Sequence, residues 1–311
     1  MPDITVSVQA QPKDLDSWLA LARRLESSGF HALLLADHPG SSASPWPALG
    51  AAAAVTGTLR LGTYVSQCGV REPMHVAVDA ATLDLLAPGR VILGLGAGHT
   101  PSEWQDLGRD RPSPGDRARR LAEFADVVAQ LLRGETVTHA GPYLTMNGSR
   151  LEGVPADGRV GLLVGGGHPE VLRAGVRHAG IVALGGLGRT LPDGHQHEAK
   201  VSAGHVRRSL GVISDEAQRV GRTPVIEALV HAVRATGDRA TGERATALEE
   251  IGQDFGVSPA DVAGSPFVLA GTPEEMAAQL RAQAKEFGIT SYAVREPAVP
   301  DLERVLPLLN R

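Results

Sequence analysis

Asp37 and His38 close the apolar run Ala32-Leu33-Leu34-Leu35-Ala36 and are followed by small residues and prolines. An imidazole beside a carboxylate can take up and release protons near neutral pH. The same residue types also suit a plainer arrangement, with the carboxylate capping a turn and the histidine on a loop, and the pair alone leaves both open. A second group is the stretch Val91 to His99, with glycines at 94, 96 and 98. The spacing is GxGxG, and His99 stands where a dinucleotide fingerprint needs its third glycine, so a nicotinamide cofactor is not expected. At Gly96 and Gly98 the missing Cβ lets a flat ring or a phosphate approach the backbone, or merely lets a strand and a helix pack closely.

Gly165, Gly166 and Gly167 follow the apolar residues Leu162 to Val164 and lead into Pro169 and Glu170 at a predicted helix start. Backbone N–H groups converge there on the positive end of a helix. No lysine followed by Ser or Thr completes an NTPase loop, and no acidic residue stands about 20 positions on to hold a ribose. A single phosphate of a mononucleotide-like cofactor suits this donor set; an ordinary tight turn is the alternative.

Cys68 is the only cysteine, which rules out an intramolecular disulfide, and a lone thiol is more often an apolar filler than a nucleophile. His195 and His197, with Asp193 and Glu198 nearby, have a spacing that can bind metal, but histidines in a polar loop are usually solvated, and no metal site is expected. Trp46, Trp104 and Tyr143 lie near predicted loops, where they could wall an apolar pocket or simply pack.

These groups must be positioned by the elements around them. Strands are predicted at Ile4 to Val8, Ala32 to Ala36, Leu59 to Val65, Val91 to Gly96, Gly161 to Gly167, Ile181 to Gly186, Val225 to Val233 and Ile289 to Val294. Between them run helical patterns, among them Asp14 to Phe30, about 47–55, about 74–86, about 116–132, about 198–221 and about 242–255. Eight strands alternating with helices, with no linker, predict one α/β domain over residues 1–311, a (β/α)8 TIM barrel. Extra segments at about 134–158, a candidate hairpin, and 186–197, a loop, are left to cover the barrel mouth. Catalytic groups are then expected at the C-terminal strand ends, where Asp37 and His38 fall.

With 30 basic and 35 acidic residues and no basic cluster interleaved with aromatics, nucleic acid is not an expected partner. No apolar run approaches the roughly 20 residues of a membrane span, and the N-terminus lacks signal-peptide regions. A cytoplasmic protein with no membrane partner is expected.

The stretches LLLADH, LRLGTYV followed by VREPMHVAVDAATLDLLAPGRVILGLGAG, LLVGGGHPEVLR and SPFVLAGTPEEMAAQLRA resemble the bacterial luciferase-like superfamily of flavin and deazaflavin barrels, nearer its coenzyme F420-dependent oxidoreductases. The resemblance implies that Asp37 contacts the deazaflavin and that His38 is the proton donor or acceptor beside it. It implies a non-proline cis peptide between Tyr64 and Val65 against the ring. Gly165 to Gly167 would meet the cofactor phosphate, helped by Gly185 after the sixth strand, with Gly96 and Gly98 also at the cofactor. His99 stands where the glucose-6-phosphate dehydrogenases of that branch carry a glutamate, and Leu187 replaces a lysine, so a sugar phosphate is not the expected substrate. His99, Trp46 and Cys68 are assigned to the substrate pocket. The expectation is hydride transfer between F420 and a small organic substrate. The alternatives are a monooxygenase using reduced FMN and O₂, or a catalytically silent flavin-binding protein. The family also implies a homodimer, for which the alanine-rich Pro47 to Val55 could serve as an interface.

Overall fold

In the computed structural model, which describes residues 3–191, 197–237 and 243–309, short apolar runs bounded by turns become the staves of a closed parallel barrel. The strands are β1 (Thr5–Gln9), β2 (Ala32–Leu35), β3 (Arg60–Gln67) and β4 (Val91–Gly96), then a hairpin of β5 (Val137–Ala140) and β6 (Thr145–Ser149). They continue with β7 (Gly161–Gly165), β8 (Ile181–Leu184), β9 (Leu187–Thr190), β10 (His197–Ala199), β11 (Val225–Leu229), β12 (Ala232–Ala235), β13 (Val268–Gly271) and β14 (Ile289–Arg295). Around the barrel the order is β1-β2-β3-β4-β7-β8-β11-β14, closing back on β1. This is the predicted (β/α)8 TIM barrel. All eight predicted strands are staves, and their connections are mostly helical.

The helices between the staves bury apolar residues against the barrel. Asp14 caps the helix Leu15–Ser27 by accepting from Ser17 N–H, and Trp18, Ala22 and Leu25 are its buried residues. Trp18 Nε1 donates to the Ala48 carbonyl at 2.8 Å, tying that helix to the next. Thr272 and Glu275 form a reciprocal capping box at the start of the helix Pro273–Phe287. Inside the barrel, Ala32, Leu34, Tyr64, Ile92, Leu163, Ala183, Leu229 and Ala293 form a separate apolar cluster.

The β3–β4 pair needs glycine. A Cβ on Gly62 would lie 2.0 Å from the Ile92 carbonyl oxygen, and one on Gly94 would lie 2.2 Å from that of Thr63. The register of this pair shifts between Thr63 and Ser66, and the Tyr64–Val65 peptide at that shift is cis.

Several segments differ from the sequence expectation. The run Val225 to Val233 is two strands, because Val230 N–H still reaches the β14 residue Ala293 whereas His231 N–H turns to the Phe267 carbonyl. From there β12 pairs in parallel with β13, a strand not predicted, and with the helices Glu243–Phe255 and Pro259–Ala263 it builds its own small apolar cluster. The segment expected as a loop at 186–197 is partly an antiparallel ribbon of β9 and β10, so the following helix starts at Ala203 rather than near Glu198. The predicted hairpin is present, but it lies along the helix Pro114–Leu132. Tyr143 Oη donates to Asp116 at 2.7 Å and Arg120 donates to the Tyr143 carbonyl at 2.8 Å. No described helix is long and apolar enough to cross a membrane.

Gly62→Ala drives a methyl into a backbone carbonyl and should destabilise the protein by about 3 kcal/mol, lowering Tm by several degrees. Gly50→Ala, in the helix Pro45–Ala53 where a Cβ meets nothing within 4 Å, should leave Tm unchanged or raise it. Thermal denaturation of both variants followed by circular dichroism checks this contrast.

Candidate active site

The C-terminal strand ends open onto a cavity of about 1280 Å³. Its wall includes Asp37 and His38 after β2, Tyr64, Val65 and Gln67 of β3, Gly96 to His99 at the end of β4, Gly165 to Gly167 after β7, and Gly185 after β8. The β9–β10 ribbon adds Leu187 to Thr190, His197 and Glu198, the loop beyond β4 adds Arg111, and the helix Pro114–Leu132 adds Arg117. The hairpin β5–β6 contributes none of the lining residues.

A chain of charge-assisted hydrogen bonds joins the ends of β2, β3 and β4. Asp37, 2% exposed, accepts two bonds from the Arg71 guanidinium at 2.5 and 2.7 Å and a third from Gln67 N–H at 3.2 Å. The Gln67 side chain accepts from Gly69 N–H at 2.7 Å and donates to Glu103 Oε2 at 2.6 Å. The other Glu103 oxygen lies 2.6 Å from His38 Nδ1. Burial works to raise the Glu103 pKa, but its bonds to His38 and Gln67 outweigh that and hold the carboxyl below its ordinary range. An ionised Glu103 requires the proton on His38 Nδ1, which leaves Nε2 as the basic nitrogen. His38 N–H in turn donates to Ser42 Oγ at 3.0 Å, and its side chain is 33% exposed.

His99 stands edge-on to His38, with ring centroids 5.4 Å apart, and edge-on to His197 at 4.7 Å. Burial, with the neighbouring His197 and His38, lowers its pKa to about 4, so His99 is neutral at pH 7.

The glycines shape the wall through their neighbours. A Cβ on Gly96 or Gly165 would meet a Val65 methyl at 2.3 or 3.3 Å, so the bare strand positions seat Val65 beside the cis peptide. The Tyr64 carbonyl of that peptide accepts from Gln9 Nε2 at 2.7 Å. Gly98, at φ +73°, lies flat on the Gln67 amide, where a Cβ would come within 2.2 Å of Oε1. In the triple glycine, Gly166 N–H donates to the Ala183 carbonyl at 3.0 Å, so the donors such a turn can offer a ligand begin at Gly167. The next residue, His168, caps the helix Pro169–His178 by accepting from Glu170 N–H. A Cβ on Gly185 would meet nothing within 4 Å, and the Gly185 carbonyl accepts from His231 Nε2 at 2.5 Å.

Asp37, His38, Tyr64, Val65, His99 and all six candidate glycines are thus brought together on one cavity, while Trp46 and Cys68 are not among its lining residues. Trp46 packs between two of the apolar clusters that the helices form against the staves. Cys68 is 1% exposed, and burial pushes its thiol far above the ordinary range, leaving it protonated. Trp104 is buried under the Arg117 guanidinium, 5.9 Å from its ring centroid, and Tyr143 sits on the outer hairpin. His195 and Asp193 lie outside the described residues, and among the described ones no group of three His, Cys, Asp or Glu is placed to hold a metal. Glu103, Gln67, Arg71, Arg111 and Arg117 were not singled out from sequence. The signal for Glu103 was its place four residues after His99 on a short helical turn; nothing in the sequence links Arg71 to Asp37.

The family model described as luciferase-like monooxygenase matches residues 1–291. Among curated relatives, the F420-dependent glucose-6-phosphate dehydrogenase of Beutenbergia cavernae is 36% identical over 192 residues, 59% of this chain and 56% of that protein. The 4-hydroxyprotoasukamycin monooxygenase of Streptomyces nodosus subsp. asukaensis is 38% identical over 139 residues, 43% of this chain and 37% of that protein. The chain therefore spans about half the length of the curated relatives it matches, or less. Solved structures share the fold at low identity. An F420-dependent secondary alcohol dehydrogenase in complex with an F420–acetone adduct superposes with a TM-score of 0.76 at 20% identity, covering 99% of both chains. A long-chain alkane monooxygenase gives 0.76 at 18%, covering 100% of this chain and 92% of the other.

The depressed His99 pKa has a measurable consequence. Between about 6.5 and about 4 the unfolded chain binds a proton at this residue that the folded chain does not, so folding stability falls as pH drops through that window. His99→Asn should remove roughly 2 kcal/mol of that pH dependence, the shift being discounted for the part of the ring that water reaches. Urea denaturation of both proteins at pH 7 and pH 4.5 measures it.

Proposed function

The chain belongs to the luciferase-like monooxygenase family, and on that premise we propose that it is an F420-dependent oxidoreductase acting on a small organic substrate, with His38 handling the proton that accompanies hydride transfer. The observation that carries this reading is the His38–Glu103 contact at 2.6 Å on the wall of a cavity that also holds the triple glycine.

The residues present fit such a cofactor. At about 1280 Å³ the cavity exceeds the roughly 300–1,000 Å³ of an ordinary single-ligand pocket, leaving room for a deazaflavin and a second small molecule. Gly167 and the first turn of the helix Pro169–His178 would hold a phosphate, and Gly165 and Gly185 keep the adjoining wall free of side chains. Tyr64, Val65, Gly96 and Gly98 would border the ring. When bound, F420 supplies a hydride donor or acceptor that no side chain can provide.

The chain's own part is to place a proton. Glu103 fixes the tautomer and the ring orientation of His38, leaving Nε2 to take up or release the proton. Asp37, fully engaged by Arg71 and Gln67, clamps the strand end from which His38 projects. His99, neutral at pH 7, offers a ring to the substrate without competing for the proton. Substrate reduction and alcohol oxidation use the same groups in opposite directions.

A second reading, a monooxygenase using reduced FMN, is supported by the 4-hydroxyprotoasukamycin monooxygenase among the relatives. Fluorescence titrations with F420 and FMN separate the two. F420 binding in the micromolar range or tighter, with FMN at least tenfold weaker, is expected; tighter FMN binding with oxygen uptake would make the monooxygenase the better account. With reduced F420 and a panel of small ketones, enones and imines, His38→Ala should lose about 10²- to 10⁴-fold in kcat while retaining F420 affinity. Bound F420 without turnover on any substrate would favour a silent binding protein.

A further inference from the structure

Arg111 and Arg117 are cations of the cavity wall with no carboxylate at ion-pair distance among the described residues, a condition Lys200 and Arg295 share; Arg111 is set apart by a guanidinium nitrogen left without any hydrogen-bond partner. Two other cations, on this wall or just behind it, are matched: Arg71 holds Asp37, and Arg189 lies 3.2 Å from Glu198. Arg111 comes from the loop between the helices Pro101–Gln105 and Pro114–Leu132 and donates Nη2 to Thr190 Oγ1 of β9 at 3.3 Å. Its Nε is sealed from water and has no hydrogen-bond partner. Arg117 spends Nε on the Gly98 carbonyl at 3.0 Å and Nη1 on the Pro112 carbonyl at 2.6 Å, bonds that fix it without neutralising it.

The two guanidinium groups feel each other. Burial, then the charge of Arg111, lowers the pKa of Arg117 to about 10, and burial alone lowers that of Arg111. Two neighbouring cations drawn out of water without a counter-charge are costly, and a bound anion relieves that cost. Arg111 is also near enough to His99 to help keep that ring neutral, and His99 is 5.4 Å from the His38 ring. His99 thus lies between the unmatched charge and His38 in the electrostatics of this wall.

Resting on the proposed function, we infer that the substrate is an acid whose carboxylate is received by Arg111, with Arg117 adding charge behind it, while the reacting part of the molecule lies toward His38. The planar guanidinium of Arg111, on the cavity wall and short of partners, matches the oxygens of a carboxylate. The acidic tail of a deazaflavin cofactor has the same chemistry, so the test must tell the two sources apart.

Benzoate serves as the carboxylate probe and benzamide as its neutral counterpart, titrated calorimetrically into F420-saturated wild type, Arg111→Ala and Arg111→Lys, with F420 affinity measured in parallel. Benzoate is expected to bind wild type at least tenfold more tightly than benzamide. Arg111→Ala should lose that preference and leave F420 affinity within twofold, and Arg111→Lys, which keeps the charge, should restore part of it. Benzoate binding no better than benzamide in wild type, or no benzoate binding at tens of millimolar, overturns the inference. So does a tenfold loss of F420 affinity in Arg111→Ala with benzoate binding unchanged, which would assign the arginine to the cofactor's tail. If wild type fails to bind F420, the functional reading falls separately, and benzoate titrated into unloaded protein still decides the role of Arg111.

Discussion

The contact between Glu103 and His38 organises the mouth of the barrel. A carboxylate that is only 2% exposed must be paid for by its partners, and here it has two, the His38 imidazole and the Gln67 amide. Gln67 passes the constraint to Asp37, and Asp37 passes it to Arg71. Three strand ends that the barrel brings side by side are thereby locked in one arrangement. The histidine that faces the cavity is held through its rear nitrogen by a chain that reaches back into the frame.

The glycines of β3 and β4 serve that frame more directly than they serve a ligand. Gly62 and Gly94 let two backbones approach where a Cβ would strike a carbonyl, and Gly94, Gly96 and Gly165 leave the hollow that Val65 fills. Gly98 then presses on Gln67, the central link of the polar chain. A glycine motif that reads in sequence as a place for a cofactor to approach is, at these positions, a place for the protein to approach itself. Both uses coexist, because the same residues border the cavity.

The alternation of apolar runs and amphipathic stretches made the barrel legible, since all eight staves carry period and length signals that local physics produces. The end of β2 at Asp37 and His38 was legible for the same reason. Sequence could not reach what depends on packing between distant segments. Asp37 meets Arg71 across 34 positions, and Arg111 meets Thr190 across 79. The sharp exit at Val230 was hidden because Val225 to Val233 is apolar enough for one strand, and only the exchange of hydrogen-bond partners from Ala293 to Phe267 divides it. Trp46 and Cys68 looked like pocket residues by proximity to strand ends, yet their side chains fall on the packed side of the backbone.

The β9–β10 ribbon places Leu187, Arg189, His197 and Glu198 on the cavity wall without taking part in the barrel's hydrogen-bond ring or in the polar chain that anchors His38. The polar chain behind His38 and this part of the cavity wall thus belong to different pieces of chain. Mutations in the ribbon can redraw the cavity wall while His38 keeps its bond to Glu103 and its footing. That division lets the cavity wall be reshaped while the costly part, the network at the stave ends, is left intact.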